Sequence, residues 1–174
     1  MTHFASPDSL FIPVAVLMER RPAVTPWAEH VWRAVEVLEE APPVPAWTVL
    51  REEAGRTLFF AGTAEVWLHP TDTTNYKHNL DSTQPLAWVV LRPSEASPAG
   101  FVLQTVTVDP GEAHIHADAG SDLVEALPMP PGLRALAAEF VARHHKERAF
   151  HKRKRDRADP QALARRGPGW EQDE

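Results

Sequence analysis

The stretch Leu10-Phe-Ile-Pro-Val-Ala-Val-Leu-Met18 is apolar without a break, and its reading decides the fold. A membrane span needs about 20 apolar residues; this run is shorter, holds Pro13 and ends in Glu19-Arg20-Arg21. It reads as a buried strand. Residues 11–18 are apolar on both faces, the pattern of a central strand covered from both sides. Residues 1–9 hold no basic segment of the kind that opens a signal peptide and are expected to be disordered. The expected compartment is the cytoplasm.

The rest of the chain is cut into short pieces by proline. Seventeen of the 174 residues are proline, about twice the usual share of roughly 5%, and they fall between apolar segments. Residues 31–38 read as a strand with Val31, Val35 and Val37 on one face and Trp32, Ala34 and Leu38 on the other; residues 47–51 form a shorter one. Residues 56–60 and 63–69 flank Ala61-Gly62 and predict a hairpin about that glycine. Residues 86–91 and 101–108 are rich in β-branched and aromatic side chains, and the Pro/Ser/Ala/Gly segment between them is an exposed loop.

After Val108 the period changes. Asp109-Pro110-x-Glu112 is a helix start, with Asp109 as cap, Pro110 in the first turn and Glu112 near the positive end of the dipole; Gly120 stops it. A last strand over 122–127 leads to Pro128-Met129-Pro130-Pro131. The spacing of Leu133, Leu136, Ala137, Phe140, Val141 and His144 then predicts an amphipathic helix over 131–147. With 43% apolar residues the chain can build one core. The expected fold is α+β: a single β-rich domain over 10–148, a mostly antiparallel sheet or small barrel of about seven strands, with one short helix and one C-terminal helix. A tail over 149–174 follows, basic and then disordered.

Chemistry is narrowed by what is missing. The chain has no cysteine, which removes disulfides, thiol nucleophiles, iron–sulfur ligation and Cys-based zinc sites. No serine sits in a Gly-x-Ser-x-Gly elbow or a Ser-x-x-Lys pair, and no phosphate-cradling glycine loop occurs. The paired carboxylates Glu39-Glu40 and Glu52-Glu53 are adjacent, so on a strand they point to opposite faces. Nine histidines suggest a metal, yet in a helix His114 and His116 diverge by about 200°, and His144 and His145 by about 100°. His144 also lies on the apolar stripe. Distant residues such as His69, Asp72 and His78 would have to be brought together by the fold. No metal site and no catalytic residue are predicted.

Charge points to contact instead. The chain is −6 overall, but between Arg143 and Arg157 eight cations face two acids. That segment is +6 and the remainder −12. A basic arm on an acidic body can bind an anionic partner surface, nucleic acid or the protein's own body. The arm residues Arg148, Phe150, Lys152, Arg153, Lys154 and Arg155 are the expected partner-docking element. Nucleic acid is the weaker target, because only Phe150 is interleaved for stacking and the body would repel a duplex. Trp67, alternating with Val66 and Leu68, and Trp27, in a loop after Thr25-Pro26, are candidate interface aromatics. Arg20 and Arg51 are candidate anion contacts.

The segments Pro13-Val-Ala-Val-Leu-Met-Glu-Arg-Arg21, Trp27-x-x-His30-x-Trp32, Leu50-Arg51-Glu52, Val89-Val-Leu-Arg-Pro93, Val124-Glu-Ala-Leu-Pro-Met-Pro-Pro131 and Phe140-Val-x-x-His144-His145, with Phe150-x-Lys-Arg-Lys-Arg155, resemble an uncharacterised family of small bacterial proteins, a domain of unknown function. The resemblance runs over 12–157. Its genes tend to lie beside those of molybdenum-containing formate dehydrogenase and its maturation factors. The resemblance implies a context and no activity; taken with the missing catalytic motifs and the charge split, it leads to the expectation of a non-catalytic accessory or assembly factor, docking on that dehydrogenase or on its maturation factors, with no cofactor of its own. Some members bear the label of molybdopterin-guanine dinucleotide biosynthesis protein, which implies an alternative: an enzyme or carrier in contact with a guanine nucleotide or with molybdopterin-guanine dinucleotide. The Leu-Ala-Gly-Gly loop of the guanylyltransferase is nowhere in this chain. Where the family has a Pro-Tyr-Glu-Ala-Gln run, this chain has Pro110-Gly111-Glu112-Ala113-His114. A nucleic-acid-binding regulator is the third reading.

Overall fold

The computed structural model describes residues 8–97 and 99–147. Seven strands and three α-helices follow in the order β1 (Leu10–Pro22), β2 (His30–Leu38), β3 (Thr48–Glu53), β4 (Arg56–Leu68), α1 (Thr73–Leu80), β5 (Leu86–Pro93), β6 (Phe101–Thr107), α2 (Pro110–Asp118), β7 (Leu123–Pro128) and α3 (Pro131–His144), with a 3-10 turn (Pro70–Asp72) before α1. Two antiparallel sheets result, ordered β2-β1-β4-β3 and β6-β5-β7. The α+β reading holds; the barrel does not close. β4 runs against β6 and β2 against β7, and the latter seam is bridged by a hydrogen bond from the Ala34 amide to Glu125 Oε2 (2.7 Å).

β1 is the central strand that its apolar run predicts. Ile12, Val14, Val16 and Met18 enter the main core with Val66, Leu68, Val89, Leu91, Val106 and the α3 residues Leu133, Ala137 and Phe140. Ala15 and Leu17, on its other face, pack with Phe60 under Leu38 and Val44. The proline-rich segment after β2 thus covers the outer face at Ala15 and Leu17, and the run is buried on both sides from Val14 to Met18, while Phe11 and Pro13, expected to be covered, are exposed.

Two strand readings change. Residues 56–68 are one strand and no hairpin: Gly62 stays in the ladder opposite Val16, at φ +130°, where the β1–β4 register shifts by a bulge. Glycine here relieves a bulged, closely packed strand, 3.4 Å from the Ala46 side chain for any added Cβ, which is the second meaning of a glycine between apolar runs. In β2, Ala34 faces Met18 and Glu36 faces Leu17, so Val35 is the extra residue of a bulge. The bulge reverses the alternation. Val37 therefore joins Ala34 and Trp32 at the main core, not Val31 and Val35, which are exposed.

Asp109 caps α2 as read, accepting from the amides of Gly111 (2.7 Å) and Glu112 (3.4 Å). α3 ends at His144, three residues short of expectation, with His144 stacked on Phe140 at 4.5 Å between centroids. Its first turn has no cap of its own; the Glu39 carboxylate, from the end of β2, accepts the Gly132 amide instead. α1 has no counterpart in the sequence reading, which gives one short helix where there are two.

Candidate functional site

A cleft of about 730 Å³ opens between the end of β4, β6 and the two short helices, lined by residues that include Trp67, His69, Asp72, Tyr76, Glu112 and His116. Strand alternation places its aromatic wall. Val66 and Leu68 are fully buried, so Trp67 turns outward, and Phe11, paired opposite on β1, meets it edge-on at 4.2 Å.

Beyond Trp67 the chain turns through Pro70–Asp72 into α1. The turn is held by hydrogen bonds: the His69 amide donates to Tyr76 Oη (3.0 Å), Thr73 Oγ1 donates to the Pro70 carbonyl (3.3 Å), and the His69 ring lies 3.0 Å through Nδ1 from Ser9 Oγ. Tyr76 is buried, and burial pushes its phenol well above the ordinary range, against the smaller opposing effect of the His69 amide. It is a neutral fixture of the wall.

The helix α2 supplies the second wall. Asp109 is buried with both oxygens in use, Oδ1 on the α2 amides and Oδ2 on Asn75 Nδ2 (3.0 Å). Glu112, exposed, accepts from Thr107 Oγ1 (2.5 Å). Asp72, half-buried, has no hydrogen bond to its carboxylate among the described residues. Among the described residues, three carboxylates and no lysine or arginine line the cleft, so these residues offer acceptors and negative charge. Such a surface suits a ligand rich in N–H donors or positive charge.

At the rim, His116 approaches Asp122 through Nδ1 (2.9 Å), and Arg92 grips the same carboxylate with two bonds of 2.8 and 2.9 Å. Asp122 is sealed, with 1% of its side chain exposed. Its carboxyl is held down to about 2, first by the Arg92 hydrogen bonds and then by that from His116. The clamp ties α2 and β5 to the start of β7.

The candidates from sequence are dispersed. Trp67 lies in the cleft. Trp27 does not; it sits in the β1–β2 connection and is 92% exposed, beside a fully exposed Val24. Arg20 lies with its guanidinium 5.8 Å from the Trp32 ring centre and 5.3 Å from that of Phe59, and within 3.4 Å of Thr57 Oγ1. Arg51 sits on β3 with Glu53 at 3.7 Å. Arg20 pairs with Thr57 and Arg51 with Leu58, and successive residues of β4 face opposite ways. The two arginines therefore occupy opposite faces of the sheet and cannot grip one anion. Arg148, Phe150, Lys152, Arg153, Lys154 and Arg155 lie outside the described residues.

His69 and Asp72 share the cleft, but His78 lies apart, in a shallow depression with Ser82 and Trp88. His114 and His116 diverge as helix geometry requires, to Asp118 and Asp122 respectively. Among the described residues no group of three or more His, Asp or Glu is placed to hold a metal ion. Sequence reasoning gave Asp109 and Glu112 as a helix start and did not foresee that the start opens on a cleft. It missed Tyr76 with the whole of α1. One signal was there: Ile115, 71% exposed, is apolar on a helix that lacks an apolar stripe.

Two antiparallel sheets with helices around an acceptor-lined cleft define a small β-rich domain. Residues 13–154 match the family described as protein of unknown function (DUF3305), and the chain belongs to it. No curated protein and no solved structure matches it. Among the described residues no helix is long and apolar enough to cross a membrane.

Proposed function

We propose that the protein is a non-catalytic accessory or assembly factor that docks on a protein partner in the cytoplasm. The observation that carries this reading is the tip between β1 and β2, where Trp27 and Val24 are held almost wholly in water. Leaving a tryptophan unburied forgoes a large hydrophobic gain, and tryptophan, with tyrosine and arginine, is enriched among the residues that anchor protein interfaces. The tip is short and tied at its base by the Ala23 amide bonded to the Glu29 carbonyl (3.0 Å), so docking Trp27 needs little further ordering. The basic arm supplies a second contact, whose charge steers association more than it adds affinity.

The partner we assign is the molybdenum-dependent formate dehydrogenase or one of its maturation factors, supported by the gene neighbourhood that the sequence resemblance implies. Purified dehydrogenase from the same organism, titrated with the full chain, tests this. Trp27→Ala should weaken binding by at least about 30-fold, the factor for a hot spot of about 2 kcal/mol. Equal affinity of the variant would remove Trp27 as the anchor, and no binding by the unaltered chain, to dehydrogenase or maturation factors, would remove the partner.

A further inference from the structure

The acceptors of the cleft are not equivalent. Asp109 engages both oxygens inside the protein, on the α2 amides and on Asn75 Nδ2 (3.0 Å), and Glu112 accepts the Thr107 hydroxyl. Asp72 differs: it stands at the entry to α1 without bonding the helix amides, half-buried, and its carboxylate has no described donor. Asn75 follows three residues later, a spacing that sets two side chains on the same side of a helix start, and it lines the same cleft. Its amide is oriented. A carboxylate only accepts, so Nδ2 must face Asp109, and Oδ1, at the other end of the group, has no described donor. Asp72 and Asn75 thus present a carboxylate and an amide oxygen side by side, with no N–H of the described residues set against either.

We propose that this pair, with the Trp67 wall, receives a single arginine side chain of a partner protein. Donor geometry is the first argument. A guanidinium carries its N–H groups in a planar fork that meets both oxygens of one carboxylate and has donors left for Asn75 Oδ1, whereas an ammonium is a point charge without a fork. Only one carboxylate is needed, and a carboxylate partly withdrawn from water gains most from a charge-assisted donor. The wall is the second argument. Trp67 is steadied by Phe11, edge-on at 4.2 Å, and an arginine stem packs along such a ring while its head is drawn to the ring face. No lysine or arginine of the described residues lines the cleft, so none of them competes for the place. The apolar surround decides the source. Ile115 on one side and Phe11 on the other are exposed; they offer nothing to a free guanidino compound, but they can cover the neighbours of an arginine within a polypeptide. The inference stands apart from the Trp27 anchor, which lies outside the cleft.

Titration of the isotopically labelled full chain with Nα-acetyl-arginine N-methylamide, followed by amide chemical shifts, tests the proposal. Saturable shifts are expected at residues 72–76 and at the Trp67 indole, with a Kd of order 1 mM. The lysine analogue should bind at least about threefold more weakly, and the uncharged citrulline analogue should not saturate. Asp72→Asn, which removes no described bond and so keeps the fold, should weaken the arginine probe at least about tenfold, the factor for a charge-assisted hydrogen bond. Trp67→Leu should weaken it about threefold, while Glu112→Gln should change it by less than about twofold, the residue of screened charge. No saturable shift by about 50 mM probe, equal binding of the citrulline analogue, or equal losses in Asp72→Asn and Glu112→Gln would each overturn the proposal, the last by reducing the effect to diffuse charge. Acetyl-Leu-Arg-Leu-amide should bind at least about threefold more tightly than free L-arginine, because its flanks bury apolar surface; the reverse order also overturns the proposal, since the occupant is then a small guanidino compound.

Discussion

Asn79, 5% exposed at the end of α1, is a buried polar side chain with three hydrogen bonds, and its removal is a stringent test of how α1 is held. Its Nδ2 donates to the carbonyls of Leu86 and Val108, each at 2.8 Å, and its Oδ1 accepts the Leu86 amide at 3.0 Å. Opposite Leu86 on β7 stands Pro128, which has no N–H to give. The first residue of β5 therefore takes its partners from a side chain. Asn79→Ala would leave three backbone groups without partners. An unsatisfied buried group costs about 1–3 kcal/mol; with partial relief by water, about 3–5 kcal/mol in total is expected, a large share of the 5–15 kcal/mol that holds a typical domain. At about 2–4 °C per kcal/mol for a domain of this size, the melting temperature should fall by about 10 °C. Urea unfolding followed by circular dichroism gives the loss directly. Asn79→Asp keeps the acceptor but removes both donors and buries a charge, so it should be at least as damaging. A loss below about 1 kcal/mol for Asn79→Ala would refute the reasoning, because α1 would then be held by apolar packing and not by this junction.

Four further outcomes, at three residues, follow from the geometry. Asp122, with a folded value of about 2 against about 3.9 for a free side chain, adds stability that is complete above the unfolded value and is lost as pH falls through the folded one; unfolding midpoints of the unaltered chain and Asp122→Asn should therefore differ at pH 6 and converge toward pH 2. Glu125 behaves oppositely: burial raises it despite the Ala34 amide, so its charge opposes folding above the raised value, and Glu125→Gln should be as stable or more so at pH 7. Glu125→Leu, which orphans the Ala34 amide at the seam between sheets, should lose about 1–2 kcal/mol in the same assay. Gly62→Ala places a Cβ at φ +130° and 3.4 Å from Ala46; strain of about 1–3 kcal/mol is expected, read as a lowered denaturation midpoint with an unchanged slope.

What was legible in the chain was what short-range rules govern. The two-faced apolar run of β1, the Asp109-Pro110 start of α2 and the stripe of α3 each carry their own signature, and each appears where it was read. α1 does not: Thr73-Thr-Asn-Tyr-Lys-His-Asn-Leu80 has poor helix formers and no apolar stripe. It exists because Thr73 and Asn79 bond to His145 and Val108 and Tyr76 packs on Phe140, partners distant in sequence that no local window reveals. Likewise Ala61-Gly62 looks the same whether a chain reverses there or bulges and continues; only the length of β1 opposite decides. The cleft inherits this limit. Trp67's outward turn follows from alternation, but α1, which makes that surface a wall, was invisible.

The pairing of β1 with β4 also bears on how the protein is made. β1 can zip to β2 as soon as that strand appears, but its other edge waits for residues 57–68. At about 5–20 residues per second, the ribosome takes seconds to supply them. During those seconds an apolar strand with one unsatisfied edge stands ready to pair with any stray strand. The window of risk for this protein lies in its synthesis, and folding helpers that bind extended apolar chain would find their target near its beginning.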